Sequence, residues 1–342
     1  MATKRKALDF SILSECRGIL MGIAILLIVF FHVVIDNPFI NSIREYCYGG
    51  VDIFLFVSGL GCFYSLSKND NGFQFIKRRL SKLLPMLWIF LIIWWLSRLI
   101  LNYPIPPIAL LGNFLMIQDY ANSEFSFNWY LSAILLFYLL APLLYQTLKR
   151  NKPSAIIVTL LLTVILSIPF FENDSLIVIM SRLPIFYIGM IFGKICKQRK
   201  TIHAKHLILL SISAVLGLLI RDLAYVHLKG CLWSYGLHWY PFILIVPAFC
   251  IWISILCEKI KNSFVYKLSR PLNFLGKHTF EIYLCHILLF NSYQLLIADG
   301  KIAQSNLHML ICILLIAPCS ILLYLSTKIV LRIASKITCG NI

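Results

Sequence analysis

The chain has 342 residues, of which 60% are hydrophobic and 13% are charged, and its mean hydropathy is +0.85. This composition excludes a soluble domain of ordinary type and places the chain in a lipid bilayer. The formal net charge of +17 would suit a nucleic-acid ligand. The positions of the basic residues therefore have to show whether the charge reflects nucleic-acid binding or membrane topology.

Ten segments are predicted to be membrane-spanning helices, since a spanning helix needs about 20 mostly apolar residues. They are 16–36, 48–66, 83–101, 129–148, 154–171, 176–195, 206–226, 237–257, 274–297 and 307–331. The first follows Lys4, Arg5 and Lys6 as a signal peptide would, but its apolar run is too long and lacks a cleavage site, so we expect a retained helix. The sequence therefore predicts an all-α integral membrane protein of about ten transmembrane helices, with a single domain over residues 1–342.

The basic residues are distributed asymmetrically between the two predicted sides of the membrane. With a cytoplasmic N-terminus, all but six of the 31 Lys and Arg residues fall on the inner side or at inner helix ends. The six on the outer side are Arg44, Arg98, Arg182, Arg221, Lys229 and Lys301. The positive-inside rule requires this asymmetry, so both termini are predicted to be cytoplasmic. Topology and anionic membrane lipid account for the charge, and no nucleic-acid partner is expected.

The cysteines and the longest loop between predicted helices give little evidence of a metal or catalytic site. The eleven cysteines include no Cys-x-x-Cys pair, so no metal site is expected. Cys47 and Cys231 both fall on the predicted outer side, where they either pair or stay free. Residues 102–127 contain three prolines and a short apolar run at 108–117, which is too short to cross the membrane and predicts a re-entrant or interfacial element.

The first predicted helix carries a cation at its inner end and an imidazole near its outer end. Ionisable side chains in spanning helices are costly and are functional candidates by default. Arg17 and His32 are fifteen residues apart, which corresponds to about 22 Å along a helix and about 60° around it. Arg17 is either a functional cation or a positive-inside anchor. His32 is either a catalytic group or a histidine bonded to a neighbouring helix.

The second predicted helix begins near Asp52, about one turn below its outer end. Helices 1 and 2 are joined by a short loop, so they are predicted to be antiparallel neighbours with Asp52 at the depth of His32. A carboxylate there would hold the imidazole in one tautomer. Equally, Asp52 would cap helix 2 beside Gly49 and Gly50.

Further polar residues lie at or inside later predicted helices. Asn128 and Trp129 open helix 4 from the outside, Arg182 lies in the outer half of helix 6, and helix 9 carries Glu281 and His286. Trp129 is one of six outer-side aromatic residues that would line an acceptor cavity or form an interfacial belt. The six are Trp129, Tyr130, Trp233, Tyr235, Trp239 and Tyr240. On the inner side, Arg78 and Arg79 belong to a basic cluster before helix 3 that suits either phosphates or membrane anchoring.

In this order the motifs resemble the membrane-bound acyltransferase-3 proteins, which acylate sugars and other acceptors at the bacterial cell surface. The matching pieces are Arg17-Gly with an apolar run to His32, GVDIFLFVSG at 50–59, FIKRRL at 75–80 with Pro85, WYL at 129–131 with Tyr138 and Pro142, RLPIF at 182–186, and LGKHTFEIYLCH at 275–286. The resemblance implies a multi-pass protein of the bacterial cytoplasmic membrane. It also implies transfer of an acyl group, usually acetyl, from cytoplasmic acyl-CoA to an outer hydroxyl.

The resemblance implies that the catalytic histidine of the family corresponds to His32. The arginine that the family carries in the same helix corresponds to Arg17. The family usually places ten residues between the two, whereas fourteen intervene here, and Met21 holds the usual position. The added four residues are about one helical turn, which keeps Arg17 on nearly the same face but nearer the cytoplasm.

These observations lead to a mechanistic hypothesis. The charged end of acetyl-CoA would stay near Arg17, Arg78 and Arg79, and its thioester would reach His32. His32 would act as general base, with Asp52 orienting it. The oxyanion or the acceptor, a cell-surface carbohydrate or lipid-linked glycan, would contact residues of the outer half: Arg182, Asn128, Trp129 and His286. No resident cofactor is expected. The rival hypothesis is a transporter or flippase that uses His32, Glu281 and His286 as a proton relay.

Overall fold

A computed structural model describes residues 8–33, 37–121, 123–166, 168, 174–228, 236–261, 263, 266–267 and 269–339. Regular structure in these ranges is helical, apart from an isolated bridge between Asp9 and Thr201. The α-helices are α1 (Ser11–Glu15), α2 (Arg17–His32), α3 (Pro38–Tyr46), α4 (Gly50–Leu66), α5 (Gly72–Ile100), α6 (Pro107–Phe114), α7 (Gln118–Ala121), α8 (Trp129–Lys149), α9 (Pro153–Ile165), α10 (Asp174–Met180), α11 (Leu183–Lys197), α12 (Ala204–His227), α13 (Phe242–Ile260), α14 (Ser269–Lys277), α15 (Thr279–Ala298) and α16 (Asn306–Cys339).

Among the described residues, eight helical stretches are long and apolar enough to span a membrane, which confirms the all-α membrane protein predicted from the sequence. They are Pro38–Leu66, Gly72–Ile100, Trp129–Lys149, Leu176–Lys197, Ala204–His227, Phe242–Ile260, Thr279–Ala298 and Asn306–Ile333. The other two of the ten predicted segments form shorter apolar helices, Arg17–His32 and Pro153–Ile165. At 1.5 Å per residue, the 16 residues of α2 extend over about 24 Å, less than the roughly 30 Å hydrocarbon core.

Large apolar side chains remain exposed along α12 and α16. Leu209 and Leu223 on α12, and Leu314 and Leu322 on α16, each expose more than half of their surface. A water-soluble domain would not leave such continuous apolar faces uncovered, whereas lipid chains cover them at no cost. Between residues 107 and 125, the described part of the chain forms short helices, of which α6 is the longest with eight residues.

The described residues group into two compact units, while a single domain over 1–342 stays a prediction. The first unit contains the chain up to Ala24, Gly49–Phe75 and Trp129–Lys277. The second contains Ile25–Tyr48, Ile76–Asn128 and the chain from His278.

In the first unit, α4 and α11 cross at two glycines. A methyl group added at Gly59 would overlap the carbonyl oxygen of Phe186, and one added at Gly189 would overlap that of Phe56. The contacts are reciprocal, so each helix approaches the other where the other has no side chain. Small residues at such crossings allow close van der Waals packing, which drives helix association in lipid.

The second unit has its core between α15 and α16. Phe290 and Tyr293 on α15 pack with Met309 and Ile316 on α16, and Val33 completes this buried cluster. Tyr293 also donates a hydrogen bond from its hydroxyl to the Ser305 carbonyl, 3.1 Å away, just before α16 begins. Together these contacts hold the part of α15 that follows His286.

Candidate active site

His32 is the last residue of α2 and lies half-buried in the second unit. Its Nδ1 is 2.9 Å from the carbonyl oxygen of Ile28, one turn earlier. A carbonyl only accepts hydrogen bonds, so Nδ1 carries a proton and the neutral ring has its lone pair on Nε2. The helix backbone therefore sets the tautomer in which Nε2 is the basic atom.

Arg44 holds the end of the helix that carries His32. Its Nη1 donates to the carbonyl oxygens of Phe31 at 3.2 Å and Val33 at 3.1 Å. The last carbonyls of a helix have no partners within the helix, and a cation there also interacts favourably with the helix dipole. Arg44, one of the six predicted outer-side cations, is thus a C-terminal cap of α2.

A second imidazole packs against His32 within the same unit. His286 on α15 is fully buried, and its ring centroid lies 5.1 Å from that of His32, with the ring planes at 65°. Its Nδ1 is 3.1 Å from the carbonyl oxygen of Ile282, so the two histidines use the same bond to their own helices. Within the described residues, Nε2 of His286 is buried and makes no hydrogen bond.

Tyr283 connects this histidine pair to Asn128. The Tyr283 hydroxyl donates to Oδ1 of Asn128 at 2.5 Å, and the Tyr283 ring centroid lies 5.3 Å from that of His286. Tyr283 is not among the candidates predicted from the sequence, although its spacing of three residues from His286 places both on one side of a helix. The structure thus brings three of the predicted residues together in the second unit: His32, His286 and Asn128.

Glu281 faces away from a relay through the two histidines. Its carboxylate lies 3.5 Å from Nδ1 of His278, three residues earlier, and its side chain is buried. Five residues separate Glu281 from His286, which places them about 140° apart around α15. Of the three groups in the proposed relay, His32 and His286 are in ring contact.

Arg182 forms a second polar centre, which lies in the first unit. The side chain is fully buried, and its guanidinium carbon lies 4.7 Å from the ring centroids of both Trp129 and Trp239. Nε is 4.0 Å from Oδ1 of Asp52, and Nη1 donates to the Val178 carbonyl at 2.9 Å. A buried guanidinium needs such compensation because its desolvation is costly.

Asp52 lies in the first turn of α4, which begins at Gly50. The side chain is 2% exposed and faces Arg182. Its place near the helix N-terminus also favours a carboxylate through the helix dipole. The Ile28 carbonyl accepts the Nδ1 proton of His32, the role that the sequence hypothesis gave to Asp52.

The residues predicted to bind the donor occupy helix starts. Arg17 begins α2, is half-buried, and points at α4, where a methyl group added at Gly61 would lie 2.7 Å from its Nη2. Arg78 is exposed and Arg79 is half-buried on the first turns of α5, which begins at Gly72 and continues through Pro85. Their role with a donor stays a prediction.

Several predictions concern residues outside the described ranges. Lys229, Cys231, Trp233 and Tyr235 fall there, so the pairing of Cys47 with Cys231 stays untested. In the described part of the chain, no group of three or more His, Cys, Asp or Glu side chains is arranged to hold a metal ion.

Comparison with protein families finds an acyltransferase domain that matches residues 19–325. The matched range contains His32, Asp52, Arg182 and His286, and it begins two residues after Arg17. Searches of curated proteins and of solved structures found no match. Since the matched range covers most of the chain, this multi-pass membrane protein belongs to the acyltransferase-3 family.

Proposed function

We propose that this acyltransferase moves an acetyl group from cytoplasmic acetyl-CoA to a hydroxyl of an outer cell-surface glycan, with His32 as general base. Family membership supports acyl transfer. The observation that carries the assignment of the base is the bond between Nδ1 of His32 and the Ile28 carbonyl, because it leaves the Nε2 lone pair on a half-buried ring to accept a proton.

In the proposed reaction, Nε2 of His32 takes the proton of the acceptor hydroxyl as its oxygen attacks the thioester carbonyl. The tetrahedral intermediate then collapses, the bond from carbon to sulfur breaks, and the His32 imidazolium returns the proton to the leaving thiolate. The products are the O-acetyl ester and free CoA, so protons and charge balance without a cofactor.

The surroundings of His32 favour one fixed ring orientation. Arg44 caps the helix end, Ile28 holds Nδ1, and His286 packs against the ring. A base that is fixed before the substrate arrives loses less entropy in the transition state. We propose that His286 and Tyr283 position His32 and the acceptor. Asp52 would act on Arg182 rather than on the base.

For the donor, we propose that the phosphates of acetyl-CoA remain at the inner end of α2. Arg17 lies at that end and His32 ends the same helix. The slender pantetheine arm is the part of the donor able to extend toward His32. Arg78 and Arg79 are further candidates for the phosphates because their guanidinium groups suit bidentate phosphate binding. The proposed location is the bacterial cytoplasmic membrane.

The test compares acetyl transfer by wild-type protein and His32→Gln in membranes with matched protein levels. Label from acetyl-CoA is followed into cell-envelope material. Loss of general-base catalysis lowers the rate by about 10² to 10⁴. Gln304→Ala, an exposed change elsewhere in the second unit, serves as the control and should retain the wild-type rate. Full activity of folded His32→Gln would refute the assigned base.

A transporter or flippase is the second candidate, supported by the ring contact between His32 and His286. Such a relay requires proton movement without acyl transfer. Proton flux that persists with no acyl label transferred from any tested donor would favour it.

A further inference from the structure

A cavity of about 350 Å³ lies within the second unit between α5, α15 and the segment before α8. We call it the α5–α15 cavity, and its volume is within the range of small-ligand sites. On its buried side lie Trp94 and Phe127, whose ring centroids are 5.4 Å apart. Such aromatic surfaces pack against the apolar faces of ring-shaped ligands.

Polar side chains form the accessible side of this cavity. Asn291 and Gln294 project from α15 and Glu124 from the segment before α8, and all three are exposed. Exposure of amides to lipid chains in a spanning helix is costly, so the side chains of Asn291 and Gln294 need water or a ligand as partner. Amide and carboxylate groups together donate and accept hydrogen bonds, as a ligand with several hydroxyls requires.

Arg98 adds a positive charge to the same cavity. Its guanidinium carbon lies 5.3 Å from the Tyr103 ring centroid, and within the described residues this guanidinium makes no ion pair or hydrogen bond. The other described cations of the predicted outer side have protein partners. Arg44 binds carbonyl oxygens, Arg182 pairs with Asp52, Arg221 with Asp222, and Lys301 with Asp299. Among the described cations of the predicted outer side, the Arg98 guanidinium is therefore the one that is available to bind an anion.

Tyr103 is itself fixed, which keeps Arg98 at the cavity. The Tyr103 hydroxyl donates to the carboxylate of Asp299, and Lys301 pairs with the same carboxylate at 2.9 Å. These bonds lower the pKa of Asp299, and the bond with Lys301 has the largest effect. The Asp299 carboxylate in turn raises the pKa of Tyr103. At neutral pH the Tyr103 side chain that contacts Arg98 is thus a neutral phenol, and its hydrogen-bond acceptor, Asp299, is an ionised carboxylate.

The cavity is connected to the histidine pair through residues of the same unit. Phe127 lines it, and the next residue, Asn128, accepts the hydrogen bond from Tyr283, whose ring contacts His286. Along α15, Asn291 follows His286 by five residues, or about 7.5 Å. A ligand in the cavity thus lies against the elements that hold the proposed base.

We propose that the α5–α15 cavity binds a sugar unit of the acceptor that carries an anionic group. Arg98 faces the anion, the amides of Asn291 and Gln294 and the carboxylate of Glu124 bind hydroxyls, and the Trp94 side packs against the ring. The proposal rests on the proposed function, since it names the acceptor class for that reaction.

The test measures sugar binding without an acyl donor. Full-length protein in nanodiscs of zwitterionic lipid is titrated with methyl glucuronide or methyl glucoside, and binding is followed by saturation-transfer NMR. We expect glucuronide to bind more tightly than glucoside, and Arg98→Gln to weaken glucuronide binding about tenfold with little change for glucoside. Asn291→Ala combined with Gln294→Ala should weaken both sugars, and both positions are exposed, so buried packing is kept. Gln304→Ala, an exposed amide outside the cavity, is the matched control.

Three results would overturn the assignment. The first is that neither sugar binds to the wild-type protein, and the second is that wild type and the cavity variants bind the sugars equally well. The third is that sugar binding is lost in nanodiscs of anionic lipid, which would mean that a lipid headgroup occupies the site. Because no donor is present, glucuronide binding that persists while acetyl transfer fails would refute the proposed function and leave the binding site standing.

Discussion

Arg182 carries a guanidinium into a fully buried position, where Asp52, a backbone carbonyl and two indole rings surround it. Each ring face attracts the cation, and such contacts are strongest where water is excluded. A lysine would keep the charge, but it lacks the planar group that stacks between Trp129 and Trp239. These contacts compensate for burying the charge of Arg182, which lies between α10 and α11.

Removing the carboxylate should therefore destabilise the first unit. Asp52→Asn leaves the Arg182 charge buried without its counter-ion, and we expect a loss of about 3 kcal/mol of unfolding free energy. Unfolding of purified protein in detergent by heat or denaturant measures this loss. Arg182→Met added to Asp52→Asn should restore part of it, because the uncompensated charge is then gone. A double variant no more stable than Asp52→Asn would contradict this account.

At the scale of whole elements, the crossing of α4 and α11 depends on two glycines rather than on large apolar side chains. Gly59→Ala or Gly189→Ala places a methyl group on a backbone carbonyl of the facing helix, which cannot move as a flexible side chain does. We expect each substitution to lower the unfolding free energy by about 1 to 3 kcal/mol. Ile188→Val on α11 is the control, since it removes one methyl at a half-buried position. Equal melting temperatures for all three variants would show that the helices separate easily.

Hydropathy predicted the helices well, but not their ends. The segment predicted at 83–101 is part of a helix that begins at Gly72, because the basic residues before it are good helix formers that also suit the membrane interface. The segment predicted at 16–36 is helical over Arg17–His32 within the described residues. Apolar content marks where a chain enters lipid, whereas helix ends depend on capping contacts such as Arg44 on α2.

The sequence predicted which residues belong to the site, but it did not predict how they contact one another in space. His32 and His286 were selected because titratable groups are costly in a membrane, yet their ring contact joins α2 and α15, which are far apart in sequence. The acceptor for Nδ1 of His32 is a backbone carbonyl, a group present at every residue, so no pattern of side chains could identify it. Antiparallel pairing of neighbouring helices suggested Asp52 for that role.

For the whole molecule, the proposed function requires a single chain to transfer an acetyl group across the membrane. The donor is a polar thioester made inside the cell, and the proposed acceptor lies outside. A channel or carrier for intact acetyl-CoA is not required if the thioester alone reaches His32. Transfer should therefore depend on which side of the membrane each substrate occupies.

Purified protein in sealed vesicles provides the most direct measurement, with labelled acetyl-CoA on the side of the basic helix ends and a glycan acceptor on the other. We predict label in the glycan on the far side, free CoA remaining on the donor side, and no transfer by His32→Gln in the same vesicles. Placing both substrates on the outer side should give no transfer. Equal label with His32→Gln, or transfer only when both substrates share one side, would contradict the account.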